Sequence, residues 1–149
     1  MGDRETYLAT AIDLIGKYGG TVTETSHLYE TAAWGKEDQP PFLNQALKIT
    51  TMLNARQLIR RILKIEKMMG RVRVEKYGPR LIDIDILFFN TEKHNTRFLK
   101  VPHPEIQNRR FALVPLAEIG ADQYHPVLEK TVKQLLEECP DLLPVKKYS

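Results

Sequence analysis

Two aspartates, Asp83 and Asp85, sit two positions apart inside the apolar run LIDIDILFF at 81–89. An unpaired buried charge is costly, so something must compensate them. In a strand, alternation places Ile82, Ile84, Ile86 and Phe88 on one face and Asp83, Asp85, Leu87 and Phe89 on the other. The two aspartate α-carbons then stand about 6.6 Å apart with their side chains on the same side. Two compensations are open. One is a hard cation such as Mg²⁺, which takes oxygen ligands and keeps several waters. The other is a pair of salt bridges to neighbouring Arg or Lys. With neither, the carboxylates repel and one tends to hold its proton.

The neighbouring residues bear on that choice. After Lys64 the chain carries Lys67, Arg71, Arg73, Lys76 and Arg80 against only Glu66 and Glu75, so a positive field adjoins the acidic strand. A solvated basic loop is the plain reading. The chemical reading is phosphate, because guanidinium groups take phosphate oxygens bidentately. Carboxylates, a divalent cation and several fixed cations together meet the needs of phosphoryl transfer, which rests on positioning and charge neutralisation. Neither G-x-x-x-x-G-K-[ST] nor a suitably flanked G-x-G-x-x-G occurs, so the nucleotide is not held by a P-loop or by protein-kinase apparatus. Glu66, on the helix before the basic loop, reads either as a pocket residue or as a solvated acid.

The elements that must position these groups follow from periodicity. Leu8, Ala11, Ile12 and Ile15 give a helix over 6–17, which Gly19-Gly20 stops. Residues 21–30 and 42–51 read as strands, separated by the loop AAWGKEDQPP. Asn54 with Gln57 forms a capping-box pattern, and Leu58, Ile62, Ile65 and Met69 share one face of a helix that ends near Gly70. A strand over about 80–90 comes next, then a polar segment, the Pro-bracketed VPHPEIQNRRF, short helices near 105–118 and an amphipathic stretch at about 130–139. The order predicts an α+β fold with both main helices on one face of a mainly antiparallel sheet.

Bulk properties set the class. At 149 residues the chain is one domain able to bury a single core. It is 42% hydrophobic and 28% charged, and no apolar run approaches the roughly 18 residues of a membrane span. A lone Cys139 and a charged start, MGDRE, predict a reducing, cytoplasmic setting. MGDRET also fits the short myristoylation pattern M-G-x-x-x-[ST]. A net charge of +3 does not by itself imply nucleic acid.

GRVR at 70–73, YGPRLIDIDILFF at 77–89 and VPHPEIQNRRFAL at 101–113 together resemble the signature set of the 6-hydroxymethyl-7,8-dihydropterin pyrophosphokinase family. The resemblance runs from about residue 3 to at least 120. It implies a ferredoxin-like α/β/α sandwich and transfer of pyrophosphate from ATP to the pterin, with release of AMP, in folate biosynthesis. It also implies that Asp83 and Asp85 hold two Mg²⁺ ions bridging the ATP phosphates. Arg71 and Arg80 would stabilise the triphosphate and its transition state, and Arg73 would lie on a mobile loop. His103 and Arg109 would contact phosphates, with Lys76, Tyr77, Ile86 and Leu99 near the nucleotide. For the pterin, Thr31, Ala32 and Trp34 match a wall segment, Asn44 a hydrogen-bonding amide, and Phe42 with Phe111 an aromatic sandwich. Aromatic faces suit a planar heterocycle whose edge is read by polar groups.

On their own, Phe42 and Phe111 also read as core residues, Trp34 as a cap on the core and His103 as a turn residue. Asn44 is harder to explain as structure, since a buried amide needs partners. The sequence departs from the family where members open on a central strand with a Gly-Ser-Asn turn. That strand is absent here, which would leave two neighbours with unpaired edges, so the expectation is either that the natural chain begins earlier or that the gap is filled by rearrangement or by another chain. The family is monomeric, and such an edge would permit chain–chain pairing. Leu63 stands where a glutamine is common, and the loop between Arg73 and Gly78 is one residue short. Two other classes share parts of the pattern. A ferredoxin-like RNA-binding module would want RNP aromatics instead of acids, and a metal-dependent nuclease leaves Phe42, Asn44 and Phe111 unexplained. No nucleic-acid or membrane partner is expected.

Overall fold

The structure, a computed structural model, describes residues 4–31, 42–71 and 82–148. Helix α1, Arg4–Tyr18, buries Ala11 and Ile15, one turn apart on a single face. The amides of Gly19 and Gly20 both donate to the Ile15 carbonyl at 2.8 and 3.0 Å, closing its last turn. Gly20 has no substitute: a Cβ there would lie 2.5 Å from the Thr50 carbonyl oxygen, where strand β1 (Thr21–Thr25) sets out beside strand β4 (Leu47–Thr50). Helix α2, Ala55–Arg71, opens with the expected capping box. The Gln57 amide donates to Asn54 Oδ1 at 2.8 Å, and the Asn54 amide donates to Gln57 Oε1 at 2.9 Å. Its buried stripe is Leu58, Ile62, Ile65 and Met69, as periodicity predicts. α1 and α2 share one core with Val22, Leu47 and Ile49 of β1 and β4, so both pack on the same face of that pair.

The two long strands expected at 21–30 and 42–51 are each broken. β1 pairs antiparallel with β4, while β2 (Tyr29–Thr31) lies between β3 (Phe42–Asn44) and β9 (Val145–Lys147), both antiparallel to it. The breaks fall level with each other, and side chains bridge them. The Ala46 amide donates to Ser26 Oγ at 2.9 Å, and Gln45 Nε2 donates to the Ser26 carbonyl at 2.9 Å. A β-branched, aromatic run reports extended backbone but not where a ladder changes sheet. β9 lies beyond every predicted element.

Residues 82–86 keep the exposure alternation of a strand, but the segment 82–88 belongs to no ladder among the described residues. Two hairpins lie further along the chain: β5 (His94–Asn95) with β6 (Lys100–Val101), and β7 (Tyr124–His125) with β8 (Lys130–Thr131). The short helices expected near 105–118 are a 3-10 turn at Ile106–Asn108 and α3, Arg110–Gly120. The final amphipathic stretch divides into β8 and α4, Val132–Glu137, which Thr131 and Gln134 cap reciprocally. A second core joins Ile106, Leu113, Val132 and Leu135 from these elements. No helix among the described residues is long and apolar enough to cross a membrane.

Candidate active site

Asp83 and Asp85 are both exposed, and the isoleucines on either side of them turn inward. Ile82 and Ile84 pack on the α1–α2 core, while Ile86 packs with Ala55, Leu99 and Val101. The acids therefore share one side of the segment, held out by apolar anchors on the other. Two further bonds secure it. The Ile84 amide donates to Glu66 Oε2 on α2 at 2.6 Å, and the His103 amide donates to the Leu87 carbonyl at 2.9 Å.

That second bond brings the VPHPEIQNRRF segment alongside the acids. Arg109 Nη1 stands 3.5 Å from His103 Nε2, and the Glu105 amide donates to His103 Nδ1 at 3.1 Å. Burial, then the Arg109 charge, pushes the His103 imidazole below its ordinary value, against the opposing pull of Asp85 and Glu105. The shift disfavours a second positive charge beside the Arg109 guanidinium. The Arg109 guanidinium also lies 5.9 Å from the centroid of the Phe111 ring, within cation–π range. Asp85, His103, Arg109 and Phe111 form one chain of neighbours.

On the other flank, strand register gathers the remaining candidates. Thr31 lies opposite Phe42, and Tyr29 opposite Asn44, so all four share a face of β2–β3. It is the face that α3 covers, because the Tyr29 hydroxyl donates to Glu118 of α3 at 2.7 Å, whereas Glu30 turns the other way to meet Arg4 of α1. Phe111 sits in the first turn of the same α3. Phe42 is 56% exposed, which a core residue would not be. Thr31 Oγ1 is buried and has no hydrogen-bond partner among the described residues. An orphaned hydroxyl is a cost that a polar ligand edge would remove.

A cavity of about 790 Å³ runs between α2 and the β5–β6 hairpin, walled by Ala55, Ile59, Leu63, Phe98 and Leu99. Its size suits a small organic ligand. Leu99 also packs with Ile86, so the cavity backs onto the acid-bearing segment. Sequence reasoning reaches Leu99 and Ile86 but misses Ile59 and Phe98, and treats Leu63 only as a departure. The available signal is exposed apolar side chains on a helix and a hairpin, Leu63 at 45% and Phe98 at 68%.

Two adjacent exposed carboxylates suit a hard cation that fills its other positions with water and phosphate oxygens. No group of three or more His, Cys, Asp or Glu able to hold a metal occurs among the described residues. Arg71 is the last residue of α2. Ala32, Trp34, Arg73, Lys76, Tyr77 and Arg80 lie outside the described residues, as does the start of MGDRET.

Comparison with known proteins identifies the family. A family model described as 7,8-dihydro-6-hydroxymethylpterin-pyrophosphokinase matches residues 1–121. A 2-amino-4-hydroxy-6-hydroxymethyldihydropteridine pyrophosphokinase of Bacillus subtilis is 48% identical over 120 residues, covering 80% of this chain and 72% of the relative. The protein of that name in Aquifex aeolicus is 41% identical over 138 residues, covering 93% and 86%. The folic acid synthesis protein fol1 of Pneumocystis carinii is 38% identical over 141 residues, covering 95% of this chain but 19% of that longer protein. The chain belongs to the 7,8-dihydro-6-hydroxymethylpterin-pyrophosphokinase family.

Proposed function

We propose that this chain transfers the β,γ-pyrophosphoryl group of ATP to the hydroxymethyl oxygen of 6-hydroxymethyl-7,8-dihydropterin, as a step of folate synthesis, with residues 1–149 acting as one domain. The observation that carries the chemistry is the common outward side of Asp83 and Asp85, next to the His103–Arg109 pair. The pterin oxygen forms a bond to the β-phosphorus, and the bond from that phosphorus to the α,β-bridging oxygen breaks. AMP leaves with the electron pair, and the hydroxyl proton passes to solvent.

In this reading Asp83 and Asp85 hold two Mg²⁺ ions with the ATP phosphates. Bound Mg²⁺ neutralises phosphate charge and the charge that develops on the attacking and departing oxygens. Arg109, with Arg71 and Arg80, binds phosphate oxygens bidentately. His103 orients Arg109 without adding charge. Arg73, Lys76 and Tyr77 close over the nucleotide and exclude water that would otherwise hydrolyse it. Ile86 and Leu99 back the adenine, with the α2 cavity as its seat. Phe42 and Phe111 sandwich the pterin ring while Thr31, Ala32, Trp34 and Asn44 meet its edge. The same reading takes the fold as a ferredoxin-like sandwich, supported by α1 and α3 contacting opposite faces of β2. The family match favours it over the RNA-binding and nuclease readings.

The test is AMP release from ATP, Mg²⁺ and hydroxymethyldihydropterin. AMP is expected only with all three present, and Asp83→Asn and Asp85→Asn should each slow it by roughly a hundredfold or more. Near-normal rates in both variants would remove the metal-site reading, and AMP released without pterin would remove the acceptor.

A further inference from the structure

Glu66 belongs to none of the ligand-contacting groups above, yet its carboxylate reaches from α2 to the one residue that separates the two acids. The Ile84 amide donates to Glu66 Oε2 at 2.6 Å, a short, charge-assisted bond of the strong kind. A strand amide in a sheet would give its proton to a neighbouring carbonyl. Residues 82–88 have no ladder among the described residues, and here a helix side chain takes that place. The Ile84 side chain is meanwhile packed in the α1–α2 core, beside Ile65 and Met69 of the same helix. Residue 84 is therefore held at its amide by α2 and at its side chain by the α1–α2 core.

We propose that Glu66 is a positioning residue for the acidic pair. The peptide plane between Asp83 and Ile84 is oriented by the hydrogen bond, and turning that plane would swing the Asp83 Cα–Cβ vector away from that of Asp85. By holding it, Glu66 sets the separation at which two carboxylates present oxygens to one divalent-cation and polyphosphate cluster. A carboxylate that orients a metal ligand from behind is worth roughly ten- to a hundredfold in metal affinity in other sites. The inference rests on the acidic pair binding a cation, as in the function proposed above.

The experiment measures Mn²⁺ binding by electron paramagnetic resonance in the presence of α,β-methylene-ATP, which holds the polyphosphate without turnover. Glu66→Ala should weaken Mn²⁺ binding by roughly tenfold to a hundredfold, and the NMR amide proton of Ile84 should lose its downfield shift and its protection from exchange. Glu66→Gln keeps an oxygen that accepts from Ile84 and should recover most of the affinity and the protected amide. Should Glu66→Ala not fold, Glu66→Asp serves in its place, since it keeps the charge but withdraws it by one methylene, and the same losses are expected. Wild-type Mn²⁺ affinity in Glu66→Ala or Glu66→Asp overturns the proposal. So does a Glu66→Gln as weak as Glu66→Ala, which would assign the effect to charge. If the wild type binds no Mn²⁺, or if Asp83→Asn and Asp85→Asn leave binding intact, the underlying metal-site reading fails instead.

Discussion

The Tyr29 hydroxyl donates to Glu118 Oε1 at 2.7 Å, tying the strand that carries Thr31 to the helix that carries Phe111. The His27 amide also donates to this carboxylate, and His27 Nδ1 lies 2.7 Å from Oε2. The bond to Glu118 raises the Tyr29 phenol above its ordinary value. Burial raises Glu118, but the bonds from Tyr29 and His27 outweigh it, and its carboxyl falls below the ordinary 4.5. The depressed carboxyl adds stability that is present above that value and is lost as pH falls through the native-state value. Tyr29→Phe should cost about 1 kcal/mol in urea unfolding at neutral pH, and Glu118→Gln should flatten the decline in stability below about pH 4.5.

His125 produces a second acid limb at higher pH. It is buried, its Nδ1 accepts the amides of Val127 and Leu128, and its ring meets Phe88 edge-on. Burial holds its pKa below the ordinary 6.5. His103 is displaced in the same direction. Below about pH 6.5 the unfolded chain takes up protons that the native chain refuses, so stability should fall as pH drops from about 6.5 through the native values. Urea midpoints at about pH 7.5 and about pH 5.5 should differ more for the wild type than for His125→Asn, which keeps an acceptor but cannot titrate. Equal differences would remove His125 as the cause.

Filling the α2 cavity should separate the two substrates. Leu63→Trp adds bulk to a partly exposed wall residue. The KM for ATP is expected to rise by roughly tenfold or more, with little change in the KM for the pterin. Steady-state kinetics with each substrate varied in turn is the check. A rise confined to the pterin would move the adenine elsewhere.

Thr31→Val removes a buried hydroxyl that has no partner among the described residues and keeps the side-chain shape. The unliganded protein should be as stable as the wild type or more stable by up to about 1 kcal/mol. Pterin affinity, followed by ligand fluorescence, should fall. A loss of stability without loss of affinity would make Thr31 a structural residue only.

Much of the local structure is legible in the residue order. The stripe Leu58, Ile62, Ile65 and Met69, the Asn54–Gln57 capping box and the Gly19-Gly20 stop depend on neighbours within a turn or two, and each is found. The alternation at 82–86 is likewise local, and it sends both aspartates outward. The breaks in the strand runs at Ser26–Leu28 and Gln45–Ala46 are not legible, because they are made by bonds between segments 19 and 20 residues apart. Glu66 reads in the sequence as a pocket residue or a solvated acid. Its role depends on a partner 18 residues further on.

Periodicity by itself determined the helices and the shared side of Asp83 and Asp85, and the quoted motifs carried the resemblance to the family, because these depend on residues near one another in the chain. Tertiary structure alone decided that Glu66 clamps Ile84, that Arg109 lies between His103 and Phe111, and that Thr31 faces the same way as Phe42 beneath α3. Those relations depend on which segments meet when the separate cores close, and no local pattern encodes that meeting.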